Sequence, residues 1–345
     1  MRIKGIDFLR GIAILLVIGR HLGEIPNSLN NYSSTMLKAW KLVGWIGVDL
    51  FFVLSGFLIS SIIFNKIKNN NFSISDFYKK RFLKIYPLFL IVLILPVFFL
   101  NNVPIKSILS ELFFMQGYIT GLWQHTWSLC VEEQFYILFP VIVLLLVKAN
   151  ALKKLPYILI VMCILVIVMR GGSYTGAPLF TQTHLRIDTI LWGVFVAYFY
   201  LYNKNYFDVL FRYKNGFVVG ALLLIAFAII LFVKLTFVFQ LIGFNLLAIG
   251  FSIFLLLSIK VERFNNSFFD RVFNMISHIG TCSYSVYLVH IPLNLLILSF
   301  SFSKTESYNY YIANSIYIVC SILGGILINK FIEQPILKLR NKYIL

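Results

Sequence analysis

Charge is in short supply in this chain. Asp, Glu, Lys and Arg make up 12% of its 345 residues, and acidic side chains are the rarer sign, 13 against 30 basic ones. Soluble domains carry about 25% charged residues, so a water-covered globule is a poor fit. Cysteine is rare too: Cys130, Cys163, Cys282 and Cys320 lie scattered in apolar segments with no CxxC pairing. That argues against a disulfide framework or a thiolate metal centre and leaves four small hydrophobes for the interior. There is no HExxH, carboxylate cluster, Walker loop or GxGxxG, so neither a metal nor a nucleotide-driven pump is expected. No Pro/Ser-rich linker, charge block, low-complexity tract or internal repeat divides the chain, and residues 1–345 read as a single domain.

What is abundant is hydrophobicity. Sixty per cent of the residues are hydrophobic and the mean hydropathy is +0.87, the composition of an integral membrane protein. The pattern predicts an all-α, polytopic membrane protein of about ten transmembrane helices, near 6–24, 43–64, 83–101, 132–148, 155–169, 186–202, 215–233, 236–259, 279–300 and 311–332. With the N-terminus inside, the inner segments hold 21 Lys and Arg residues and the outer ones 7. This positive-inside bias places both termini in the cytoplasm. The net charge of +17 is therefore a topology signal read against membrane lipids, and no nucleic-acid partner is expected. The basic start "MRIK" is followed by no small-x-small cleavage site in "GEIPNS", so the first span reads as retained rather than as a signal peptide.

That first span, "FLRGIAILLVIGRHL", carries Arg10 and His21. Eleven residues at about 100° each bring His21 to within about 20° of the face of Arg10, about 16 Å further along the helix. A charge at mid-bilayer costs about 2.5–3.5 kcal/mol even on insertion scales, so such groups are functional suspects. The plain structural reading is that Arg10 snorkels to headgroups and His21 makes one interhelical hydrogen bond. In the second span, Asp49 lies at the depth of His21. It reads either as the carboxylate that orients the imidazole or as the partner of an outer cation. Ser55 and Gly56 allow close helix approach there.

"IDFLRGIAILLVIGRHL", "GVDLFFVLSGFLIS", "RFLKIYP", "TWSLCVEEQFYILFP", "LRIDTILWG" and "YSVYLVHIPL" occur in this order. Together they resemble the acyltransferase-3 family of integral membrane O-acyltransferases over nearly the whole chain. The resemblance implies transfer of an acyl group, often acetyl, from cytoplasmic acyl-CoA to a sugar hydroxyl across the membrane. It further implies that His21 is the catalytic histidine, with Arg10 its partner on the helix. The chain looks like the stand-alone form, without the extracytoplasmic hydrolase-like domain that some members carry.

The remaining motifs each admit two readings. Lys79, Lys80, Arg81 and Lys84 lie at the inner mouth of the third span. They either anchor topology or receive the phosphates of coenzyme A, with Arg81 the first choice because its fork reads phosphate bidentately. Glu132 and Glu133 open the fourth span, where they complement the helix dipole or bind the acceptor. Glu133 is favoured because it shares a face with Tyr136 and Pro140. Arg186 and Asp188 either pair with each other or free Arg186 for the acceptor. His290 reads as an interhelical hydrogen-bond partner of a tyrosine or serine, while His125 and His278 read as solvated.

The resulting expectation is an acetyl-CoA-dependent O-acetyltransferase of the bacterial inner membrane. His21 serves as base or acyl carrier, Asp49 orients it, and Arg10 steers the donor. Arg81, Lys80 and Lys84 hold CoA, and Glu133, Arg186 and Glu132 hold a cell-surface glycan such as O-antigen or exopolysaccharide. The rival class is a transporter or flippase of lipid-linked glycans using these groups as a proton relay, and a third reading is a glycan polymerase.

Overall fold

The computed structural model describes residues 3–23, 32–99, 103–173, 180–299 and 307–343. The stretch after Gly23, which bears on the signal-peptide question, and Arg2 and Lys304 of the charge tally lie outside the described residues. The helices run α1 Lys4–Arg20, α2 Tyr32–Val43, α3 Ile46–Lys68, α4 Ile74–Phe99, α5 Ile105–Leu112, α6 Trp127–Lys148, α7 Leu155–Gly172 and α8 Ile187–Tyr202. They continue as α9 Lys204–Arg212, α10 Lys214–Lys234, α11 Thr236–Ser258, α12 Ser267–Thr281, α13 Ser283–Ser299, α14 Ser307–Ile328 and α15 Gln334–Tyr343. No strand forms among the described residues.

Among the described residues, six helical stretches are long and apolar enough to cross a membrane: Ile46–Lys68, Gln124–Lys148, Leu152–Gly172, Lys214–Lys234, Thr236–Ser258 and Tyr310–Lys342. The fold is that of an all-α polytopic membrane protein. The other expected spans fall on α1, α4, α8 and α13. Of these α1 has 17 residues, a rise of about 25 Å. The sequence pattern left most of α12 in the inner segment before the ninth expected span. Its start is set by Asn266, whose Oδ1 accepts from the backbone N–H of Phe268 and Phe269 at 2.9 and 3.3 Å, a local N-cap. Its end lies just before Cys282.

The helices gather into two compact units, one of residues 1–48, 79–102 and 262–345, the other of 49–78 and 103–261. In the first, α1 packs lengthwise on α12. A Cβ built at Gly280 would stand 1.8 Å from the Asp7 carbonyl oxygen, and one at Gly11 would stand 2.1 Å from that of Ile276. Only glycine permits this approach of two backbones. Gly280→Ala is therefore expected to push α1 off α12 and cost about 1–3 kcal/mol, seen as a lower melting temperature in detergent. A variant melting with wild type would show that the crossing has slack. In the second unit, α3 and α8 cross by the same device, with built Cβ atoms of Gly56 and Gly193 each 2.1 Å from a carbonyl oxygen of the other helix. This is the close approach read from Gly56.

Three of the cysteines are buried and Cys320 is half-buried, all as free thiols. His125 departs from its expected solvated place and is buried, because the turn Gln124–Thr126 tucks under the start of α6. There the Trp123 N–H and the Thr126 hydroxyl donate to the Glu111 carboxylate at 3.0 and 2.8 Å. Burial pushes the Glu111 carboxyl above its usual range, against the opposing pull of those donors.

Candidate active site

In the first unit α1 ends one residue before the histidine that its sequence singles out. His21 leaves the helix with φ −99° and ψ 17°, its N–H still bonded to the Ile18 carbonyl at 3.1 Å. Its Nδ1 lies 3.0 Å from the Val17 carbonyl oxygen and 3.3 Å from Nε2 of His290. The two rings are tilted with centroids 5.0 Å apart. From one turn further along α13, Asn294 Nδ2 donates to the His21 carbonyl oxygen at 2.8 Å. On α14, Asn314 Oδ1 accepts from the Gly23 N–H at 2.9 Å and the Tyr317 hydroxyl donates to the Ile18 carbonyl at 3.3 Å. The helix end is thus gripped by side chains from two other helices. The ring itself is half-buried, and Nε2 of His21 has no hydrogen-bond partner among the described residues.

The same unit holds the basic residues expected to meet coenzyme A. Acting electrostatically on Lys84 are Arg81, Arg10 and Arg340, together with the carboxylate of Glu333. Arg340, absent from the sequence-level site, donates from Nη1 to the Lys80 carbonyl oxygen at 3.3 Å and lies within electrostatic range of Arg81. Lys80 enters this arrangement through its backbone. Glu333 closes a π turn, Asn329–Glu333, an irregularity frequent at functional sites. Its Oε2 accepts from Ser285 Oγ at 2.6 Å and Asn329 Nδ2 at 2.7 Å. Cations gathered around a lone carboxylate attract a polyanion.

Among its described residues, the second unit holds two buried ion pairs. Arg186 Nη2 meets Asp49 Oδ1 at 2.7 Å, with both side chains 1% exposed. The guanidinium carbon also lies 4.0 Å from the Phe244 ring centroid and 5.3 Å from that of Trp127. Arg170 pairs with Asp188, and Asp188 Oδ2 accepts from Asn245 Nδ2 at 2.7 Å. The expected pairing of Arg186 with Asp188 is therefore corrected: each takes another partner, because α3 and α7 deliver Asp49 and Arg170 to them. Asp49 takes up an outer cation, the second of its two sequence-level readings. Asp49 Oδ2 and Arg186 Nε stay without a hydrogen-bond partner among the described residues.

Glu132 and Glu133 fall in the second turn of α6, which begins at Trp127 and has no acidic residue in its first turn. The helix-dipole reading of them is corrected accordingly. Tyr136 donates to Glu132 Oε2 at 2.7 Å, so the tyrosine that favoured Glu133 serves its neighbour. Glu133 is buried. The structure thus joins His21 to His290 and Asp49 to Arg186, and places Arg10 and Arg81 each within electrostatic range of Lys84. Arg170, Arg340, Glu333 and Asn294 were missed, and only the π turn and the fold bring them in.

A family model described as an acyltransferase domain matches residues 3–330. The chain is 31% identical to an uncharacterized protein of Haemophilus influenzae over 189 residues, 46% of this chain and 76% of that one. It is 25% identical to O-acetyltransferase OatA of Staphylococcus aureus over 375 residues, 97% of this chain and 57% of that protein. It therefore spans little more than half the length of that relative. No solved structure matches the chain. A match from residue 3 to residue 330 takes in both the histidine at the end of α1 and the basic residues of α4, and the chain belongs to the acyltransferase-3 family of membrane acyltransferases.

Proposed function

We propose that this protein is an O-acetyltransferase of the bacterial inner membrane, moving acetyl from cytoplasmic acetyl-CoA to a hydroxyl of a cell-surface glycan. The observation that carries the reading is the joint presence, in one unit, of a half-buried histidine with an open Nε2 and a cluster of cations suited to phosphates. With the N-terminus inside, Arg10, Arg81, Lys84 and Arg340 hold the phosphates of CoA at the cytoplasmic side. His21 stands about 16 Å further along α1, a distance on the scale of the pantetheine arm. Its Nε2 takes the proton of the acceptor hydroxyl as the oxygen attacks the thioester carbonyl. The C–O bond forms, the C–S bond breaks, and the CoA thiolate leaves and takes up a proton. Within the second unit, the Asp49–Arg186 pair fixes α3 to the start of α8. The O-acetyltransferase name of the Staphylococcus relative supports the acetyl group as cargo.

The test begins with labelled acetyl-CoA and purified protein, following CoA release. Arg81→Ala is expected to raise KM for acetyl-CoA about 10-fold or more, the loss of a charge-assisted bond, with kcat within about 2-fold. An unchanged KM would return Arg81 to an anchoring role. Failure of the wild type to bind acetyl-CoA would overturn the donor and with it the proposed reaction.

A further inference from the structure

We infer that His290 is a positioning residue for His21, setting which imidazole nitrogen carries the proton and stabilising the imidazolium formed during transfer. The role is the one that a carboxylate fills in a Ser-His-Asp triad, taken here by a second histidine. Two backbone carbonyls make the assignment. Carbonyl oxygen only accepts, so the nitrogen facing one must carry hydrogen. His290 Nδ1 lies 2.6 Å from the Tyr287 carbonyl oxygen, which leaves Nε2 of a neutral His290 as a lone pair. His21 Nδ1 lies 3.0 Å from the Val17 carbonyl oxygen, which puts the proton on Nδ1 and the lone pair on Nε2. The contact between the rings then has one sense: His21 Nδ1–H donates, shared between Val17 and His290 Nε2 at 3.3 Å. The opposite tautomers would set two lone pairs against two carbonyl oxygens.

The arrangement has a chemical consequence. When Nε2 of His21 accepts a proton, the positive ring already points its other N–H at two acceptors. One is the carbonyl of its own helix and the other is a ring buried completely on α13. Asn294, four residues after His290, holds the backbone of His21 from the same helix. One face of α13 therefore fixes both the ring and the main chain of His21.

The kinetic part of this inference rests on the acyltransferase reading; the tautomer part does not. Nitrogen-15 spectra of histidine-labelled wild-type protein, with His21 assigned by comparison with H21Q, are expected to show both rings protonated at Nδ1 when neutral. Finding either ring as the Nε2–H tautomer would overturn the assignment whatever the enzyme does. His290→Phe removes the acceptor and is expected to lower kcat about 100-fold, within the range general-base catalysis supplies, while KM for acetyl-CoA stays within about 2-fold. His290→Gln places a carbonyl oxygen near the position of Nε2 and is expected to recover most of that loss. Equal activity of the phenylalanine variant and wild type, or equal impairment of both variants, would overturn the role. If His290→Phe does not fold, the glutamine variant and the wild-type spectra still decide. Wild type that turns over no acetyl-CoA would count against the proposed reaction and leave the spectra to judge the pair.

Discussion

His21→Ala is expected to lose acetyl transfer by about 1,000-fold or more while keeping its fold and its affinity for acetyl-CoA. Positioned acid–base groups supply about 100- to 10,000-fold, and the hydrogen bonds of this imidazole run through Nδ1, which leaves Nε2 for the reaction. The fold is expected to survive because the main chain of His21 is held independently of the ring, although the ring's contacts with the Val17 carbonyl and His290 are lost. Its N–H closes on Ile18 and its carbonyl is held by Asn294, and neither bond needs the ring. CoA release and protein-bound label, followed with labelled acetyl-CoA in wild type and variant, check the expectation. Label trapped only when His21 is present would select the acyl-imidazole route over direct base catalysis. A variant that transfers at the wild-type rate would remove His21 from the mechanism.

Short-range features of this site were legible in the sequence and long-range pairings were not. The eleven-residue spacing of Arg10 and His21 is a property of one helix, and periodicity alone places them on a common face. The close approach at Gly56 is also local, since a small residue in an apolar helix has few other uses. The partners of the charged residues are another matter. His21 and His290 are 269 positions apart, and Arg186 and Asp49 are 137 apart. Nothing in a hydropathy profile says which helix turns towards which. Arg186 and Asp188, two residues apart, invited a local pairing, yet neighbours at that spacing point to different faces of a helix, and each ion found its partner on another element. Arg340 was read only as one positive charge among the inner segments, although the fold carries it to Arg81. Glu132 and Glu133 were misplaced by a turn because the polar residues before them, "TWS", already belong to or adjoin α6.

Arg186→Leu is expected to be among the most destabilising single changes in the protein, by about 3–5 kcal/mol, because it leaves Asp49 as a buried charge without its cation. The carboxylate cannot turn to water: it is 1% exposed and sits in a helix long and apolar enough to cross the membrane. Truncation also strips the Phe244 and Trp127 rings of the cation that lies over them, a smaller loss of about 0.5–2 kcal/mol. The companion change separates pairing from packing. Asp49→Leu with Arg186→Leu removes both charges together, and replacing a buried ion pair by apolar side chains is often neutral for stability. The double variant should therefore melt well above Arg186→Leu in detergent, with a coupling energy of about 2 kcal/mol or more as expected for contacting groups. If the two substitutions simply add, the pair contributes nothing specific, and the fixing of α3 to the start of α8 rests on the Gly56–Gly193 crossing alone. If stability returns but acetyl transfer does not, the pair is retained for chemistry on the acceptor, and the oxygen of Asp49 left without a partner becomes the atom to pursue.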